Sequence, residues 1–266
     1  MRLLAALFLV AVTGSLSAQL SSEPIERRTT ALHPMRYLVS RPVGWKAGES
    51  YPVGVAIPDG EREFEKTARA FISARGARPW VVVVPEVLTG GPPRNSAAWK
   101  RAAFDYSTPV WFRVRRTTEC AFDAAGMTAL VLDVKRLDSP SGEFYLTGWE
   151  AAGHVVWAQY FRHPGTWAAV AAISANYISR CMEDRKFAAA PADSGPPVRL
   201  FYSVGDTAGM PGGTLHTQWV AVQRIATRQG FAHLSEKAVA ARPRGPMPRE
   251  VLAWFDSLRA AERGRH

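Results

Sequence analysis

The sequence predicts an α/β fold with a mostly parallel central sheet flanked by helices. Three observations carry that prediction. Short apolar runs alternate with helix-period patterns from residue 35 almost to the C-terminus, which is the pattern of strand and helix layers packed on one another. Residues 80–84 are a tryptophan followed by four valines. No position there is charged, which suits a parallel strand covered on both faces. Residues 144–161 place an apolar run, a sharp turn and a helical run in succession, with Gly148 and Ala152 two residues either side of Glu150. Small residues at those places let a strand and the next helix approach closely around the turn.

The elements follow in order. Residues 36–39 read as a strand and residues 52–57 as a second, buried one. Residues 61–74 read as a helix, because Phe64, Ala68 and Phe71 recur at helical spacing. After the valine strand, Pro85 and Glu86 open a loop that is rich in proline and glycine at residues 89–93. Residues 94–118 are irregular and aromatic, with Trp99, Phe104, Tyr106, Trp111 and Phe112. They suit either a lid or pocket wall, or core carried by a long loop. A helix over 122–137, a strand over 143–147, a helix over 153–161 and a strand over 168–173 come next. Residues 190–197 read as a loop before a strand over 198–202. A helix over 215–228, a strand over 234–240 and a closing helix over 249–261 complete the chain. Residues 19–34 are polar and read as an extended lead-in, so a single domain is expected over 35–266. No internal repeat or low-complexity segment interrupts it.

At 266 residues, 47% hydrophobic and 21% charged, the chain can bury a sizeable core and is not of disordered composition. Arg2, the apolar run 3–12 and the small residues Ser15, Ser17 and Ala18 read as a signal peptide over 1–18, cut after Ala18. That run is too short to cross a bilayer, and no later stretch is long and apolar enough to do so. No cysteine follows it closely, so a lipid anchor is not expected. The expected location is therefore secreted or periplasmic. In an oxidising compartment Cys120 and Cys181 are a candidate disulfide; two separate buried thiols are the alternative. The formal net charge of +10 favours anionic surfaces or acidic polymers as partners. The basic residues are dispersed apart from 113–116 and 242–249, no nucleic-acid motif accompanies them, and an ordinary basic surface explains them equally. No metal-ligand cluster or phosphate-cradling glycine loop stands out, so neither metal nor cofactor is expected. No feature fixes an oligomeric state.

Three segments resemble the α/β-hydrolase superfamily, and within it the secreted esterase and polyhydroxybutyrate-depolymerase-like branch. They are residues 145–154 around Gly148, Glu150 and His154, residues 161–170 around His163 and Pro164, and residues 247–255 from Met247 to Phe255. The resemblance extends loosely over 35–262. It implies that residues 148–152 form a nucleophile elbow, where the family carries a serine. Glu150 stands in its place. A carboxylate can attack, as aspartate does in the dehalogenase and epoxide-hydrolase relatives. Glutamate's extra methylene would carry its oxygens past the reacting position, and misplacement near ~1 Å costs on the order of a hundredfold in rate.

The resemblance also assigns the remaining parts. Asp206, following Gly205 after a late strand, matches the acid position. The base should be a histidine within residues 241–248, and that stretch has none. His154, His163, His216 and His233 fall instead on the elbow helix, at its end, on the helix after Asp206 and at the start of the last strand. Ala151 would give one oxyanion N–H. The other belongs to the loop at residues 58–61, where Pro58 has no N–H to offer and Asp59 and Glu61 bring negative charge. Arg242 and Arg244 occupy the loop that lacks the histidine, so they are candidates to pair with Glu150. A helix N-terminus would favour that carboxylate too. Two solvated arginines on a surface loop are the alternative.

These features describe an exported protein of esterase-related fold that is catalytically inactive and serves a binding or structural role. Two other readings stay open. One is an active ester or polyester hydrolase using Glu150 or an unrecognised group. The other is a polymer- or carbohydrate-binding protein using the aromatic residues between 99 and 112.

Overall fold

A computed structural model of the chain describes residues 23–89, 119–140, 142–177, 180–182, 186–191, 193–240 and 247–265. The expected signal peptide, the aromatic stretch 94–118 and the loop bearing Arg242 and Arg244 lie outside those residues. Eight strands form one sheet: β1 (Glu26–Thr29), β2 (Arg36–Ser40), β3 (Val53–Ile57), β4 (Val81–Pro85), β5 (Phe144–Trp149), β6 (Ala169–Ile173), β7 (Val198–Ser203) and β8 (Leu234–Val239). Their order is β1-β2-β4-β3-β5-β6-β7-β8. The pairs β1–β2 and β2–β4 are antiparallel, and every pair from β4 to β8 is parallel.

Five described helices cover the sheet: α1 (Phe64–Arg75), α2 (Glu119–Leu137), α3 (Gly153–Arg162), α4 (Thr214–Arg228) and α5 (Met247–Arg263). Alternation along the central strands explains the two-sided core. Val53, Val55, Ile57, Val81 and Val83 pack with α2, α3 and α4 through Phe122, Leu130, Val155 and Trp219. Ala56, Val82 and Val84 face the other way and pack with α1 and α5 through Phe71, Val251 and Phe255. A side-chain period of two sends successive residues to opposite layers. A strand with helices on both sides must therefore be apolar throughout, and β3 and β4 are buried at every position.

Part of the polar lead-in belongs to the sheet. Glu26–Thr29 pairs with Arg36–Val39 as an edge strand. Its charges explain why its sequence reads as a tail: Arg28 and Arg41 both reach the buried Asp138 at 2.8 Å. Nearby, the buried Arg75 donates to the carbonyls of Ser40 (3.0 Å) and Trp80 (2.9 Å) and to the Glu23 carboxylate. The antiparallel edge is thus tied to α1 by paired charge as well as by the packing of Leu38 with Phe64, Ala68 and Phe71.

Cys120, in the first turn of α2, and Cys181, beyond β6, are joined by a disulfide with a sequence separation of 61. Arg180 and Glu119 form an ion pair beside it at 2.5 Å. No described helix is long and apolar enough to cross a membrane.

Candidate active site

In an open α/β sheet ligands bind beyond the carboxyl ends of the strands. The residues singled out by sequence that can be placed there are Glu150, Ala151 and Asp206. Glu150 follows β5 directly. Trp149 is still extended (φ −99°, ψ 142°), and Glu150 then turns to φ 39°, a left-handed conformation uncommon for residues with a side chain. Residues Glu150–Ala152 make one 3-10 turn into α3. Two backbone N–H groups, of Gly153 and of Asn176 (2.8 Å), donate to the Glu150 carbonyl and hold the turn.

The small residues explain themselves sterically. A Cβ at Gly148 would stand 2.8 Å from the side chains of both Ala152 and Val156, and one at Gly153 would stand 2.3 Å from the Asn176 carbonyl oxygen. The geometry is that of an elbow, with a half-buried glutamate at its apex. Ala151 follows it.

Asp206 lies just past β7. Its Oδ2 accepts from Ser174 Oγ at 2.7 Å, and its Oδ1 accepts from the Ala208 backbone N–H at 3.1 Å. Ser174 directly follows β6, is buried, and has φ 41°. Gly209 closes over the pair, since a Cβ there would come within 2.3 Å of Ser174 Oγ and 2.5 Å of Asp206 Oδ2. In a serine hydrolase the acid receives an imidazole N–H. Here the neighbouring serine and a backbone amide donate to its two oxygens. A serine at a strand end is too common to mark this in the sequence.

The described histidines are engaged elsewhere. His33 accepts from the Met35 N–H at 3.1 Å and packs edge-on against Phe122. His154 is buried within α3, and His163 closes that helix with its backbone N–H on Gln159. Burial, with the Arg162 charge beside it, lowers the His163 pKa. His216 meets Glu236 at 3.0 Å, and His233 meets the Asp193 carbonyl at 3.0 Å.

The loop after β3 is more than the acidic turn its sequence suggests. Asp59 does take the Glu61 N–H at 3.0 Å. The missed residue is Arg62, with φ 59°. Its backbone N–H bonds the Asp59 carbonyl at 3.0 Å, and its guanidinium lies over the Phe64 ring at 5.3 Å. Across the neighbouring β4 end, Asp123 is fully buried and accepts from Leu88 N–H (2.8 Å) and Thr89 N–H (2.6 Å). Burial pushes its pKa up to about 6, against the pull of those hydrogen bonds and of the Arg62 charge. Asp59, Glu63, Lys66, Trp149 and Pro248 line a cavity of about 90 Å³ beside the elbow. Among the described residues no group of three or more His, Cys, Asp or Glu side chains could hold a metal.

No protein-family model and no curated protein matches the sequence. Solved structures do match. The siderophore hydrolase EstA from Aspergillus nidulans superposes with a TM-score of 0.56 at 15% identity, over 96% of this chain and 99% of that one. The LpqC poly(3-hydroxybutyrate) depolymerase from Bordetella parapertussis gives 0.56 at 16% identity, over 91% and 92%. Porphyromonas gingivalis dipeptidyl peptidase 4 gives 0.56 at 14% identity, over 88% of this chain and 35% of the peptidase, so the chain spans about a third of that protein. The chain has the α/β-hydrolase fold.

Proposed function

We propose that this is an exported, non-hydrolytic protein of the α/β-hydrolase fold that acts by binding a ligand at the carboxyl edge of its sheet. One observation carries the reading: the Asp206 carboxylate receives Ser174 and a backbone amide, while the loop 241–246 contains no histidine. A nucleophile at residue 150 then has no general base to activate it, or to activate the water that must release an ester intermediate. Pro58 in the loop after β3 removes a second N–H from any oxyanion site. The elbow is kept while its machinery is not. Pairing of Glu150 with Arg242 or Arg244 belongs to the same reading, because it would neutralise the carboxylate at the apex.

Short p-nitrophenyl esters test the proposal. Wild type and Glu150→Ser should both leave hydrolysis at the rate of buffer, since restoring a hydroxyl restores no base. Turnover by Glu150→Ser would reveal a proton acceptor within reach of residue 150 and overturn the reading. Retention on insoluble polyester or polysaccharide would identify a polymer as the ligand.

A further inference from the structure

The amino edge of the sheet, at the opposite end of β3 and β5 from the elbow, carries a groove of about 510 Å³. Small-molecule sites span about 300–1,000 Å³. One wall is the chain entering these two paired strands: Tyr51 and Pro52 before Val53, Gly142 and Glu143 before Phe144. The other wall is the end of α5, with Arg259, Glu262 and Arg263, and Arg265 just beyond it. The first wall is firmly held. Ser139 is fully buried, and its hydroxyl accepts the Tyr51 N–H and donates to the Tyr51 carbonyl, both at 2.7 Å. The Val53 N–H donates to the Glu143 carbonyl at 2.8 Å. Gly142 is needed between them, since a Cβ there would stand 2.2 Å from the Tyr51 carbonyl oxygen. A wall ordered in the free protein loses little freedom when a ligand arrives.

The charges in the groove are only partly matched. Arg259 Nε donates to Glu143 Oε2 at 3.1 Å, and the guanidinium carbon lies 5.7 Å from the centre of the Trp80 ring. The same carboxylate oxygen accepts the Tyr145 hydroxyl at 3.0 Å. Both Arg259 Nη groups and Glu143 Oε1 are left without a hydrogen bond among the described residues. Arg263 and Arg265 form no ion pair among the described residues either. A single basic residue in the last turn of a helix answers its dipole. Three arginines lining one groove go beyond that need.

Guanidinium forks match the oxygens of a carboxylate or a phosphoryl group. The Glu143 and Glu262 carboxylates that share the groove only accept hydrogen bonds. They repel a second anionic group and suit neutral donors. An ammonium donor would stand beside three guanidinium groups, whereas hydroxyls carry no charge to be repelled. Tyr51 and Pro52 add apolar surface for the C–H face of a ring. We infer that this groove binds a hydroxylated anion of sugar size, a sugar acid or a sugar phosphate. Arg259 and Arg263 take its anionic group, and Glu143 takes a hydroxyl. The site is separate from the carboxyl edge and does not depend on what that edge binds.

Calorimetric titration of the full chain at constant ionic strength tests it. The probes are glucuronate, glucose 6-phosphate, glucose, butyrate and inorganic phosphate. Wild type should bind glucuronate or glucose 6-phosphate saturably, and whichever binds identifies the anionic group as carboxylate or phosphoryl. Arg263→Met should weaken that binding by on the order of tenfold, as loss of a charge-assisted hydrogen bond does. It should melt as wild type does, because Arg263 holds no ion pair among the described residues, so the loss is not one of folding. Arg259→Met should weaken binding further, since it also frees Glu143 to repel the anion. Glu150→Ala, at the other end of β5, should bind with wild-type affinity. Four results would each overturn the inference. They are no saturable heat with either sugar anion, unchanged affinity in Arg263→Met, loss of binding in Glu150→Ala, and glucose, butyrate or phosphate binding as tightly as the sugar anions.

Discussion

Single side chains decide how this molecule uses its fold. Gly148 is where the elbow is most demanding, because a methyl group there meets Ala152 and Val156 at 2.8 Å. Gly148→Ala should therefore cost about 1–3 kcal/mol from overpacking, read as a lower urea midpoint with an unchanged slope. Unaltered stability would mean that the turn is not so closely packed. Asp123 makes a prediction in pH. Its folded pKa of about 6 lies above the 3.8 of an ordinary aspartate, so the folded state holds its proton where the unfolded chain has already lost it. The penalty for burying the charge is complete above about pH 6 and is relieved as pH falls toward 4. A gap of that size corresponds to on the order of 2–3 kcal/mol. His163, with its depressed pKa, works the other way, because protonation below its unfolded pKa favours the unfolded chain. The comparison that isolates Asp123 is with Asp123→Asn: urea stability measured from pH 7 to pH 5 should rise more in wild type than in the variant. Equal slopes would contradict the burial argument. Glu150, Asp206 and Asp59 were legible in sequence because they stand at defined offsets from strands and glycines. Arg62 and Ser174 were not, because a positive φ on a residue with a Cβ is imposed by tertiary contacts and leaves no local pattern.

At the level of elements, the strands that were easiest to read are those whose neighbours bury both faces. Trp80 to Val84 reads as a strand buried on both faces; its register with β3 and β2 is seen only in the structure, because four identical valines carry no alternation to set it. The edge strand Glu26–Thr29 was hidden for the opposite reason. Its residues are largely exposed, and its place is fixed by Arg28, Arg41 and Asp138 rather than by apolar alternation. The disulfide also acts between elements, tying the first turn of α2 to the segment after β6. With a loop of 61 residues closed, chain-entropy reasoning gives about 4 kcal/mol of stabilisation. Cys120→Ser with Cys181→Ser should lower the thermal midpoint markedly, and a reductant should then have no further effect. A double variant as stable as wild type would show that the bridge leaves the unfolded chain as free as before.

For the molecule as a whole, the sheet, its two helical layers and the elbow are those of the α/β-hydrolase fold, shared with esterases and a depolymerase at 16% identity or less. Fold carries no activity by itself. At the carboxyl edge stand Glu150 at the turn after β5, Ser174 on the Asp206 carboxylate, and Arg62 in the loop after β3. The net charge of +10 gives the surface an attraction for anions. The elbow is proposed to stand here without acid–base machinery. Steady-state turnover of p-nitrophenyl butyrate by purified wild type, set beside Glu150→Ala, tests it most directly. Both proteins should match the uncatalysed rate; wild-type turnover that disappears in Glu150→Ala would contradict the account.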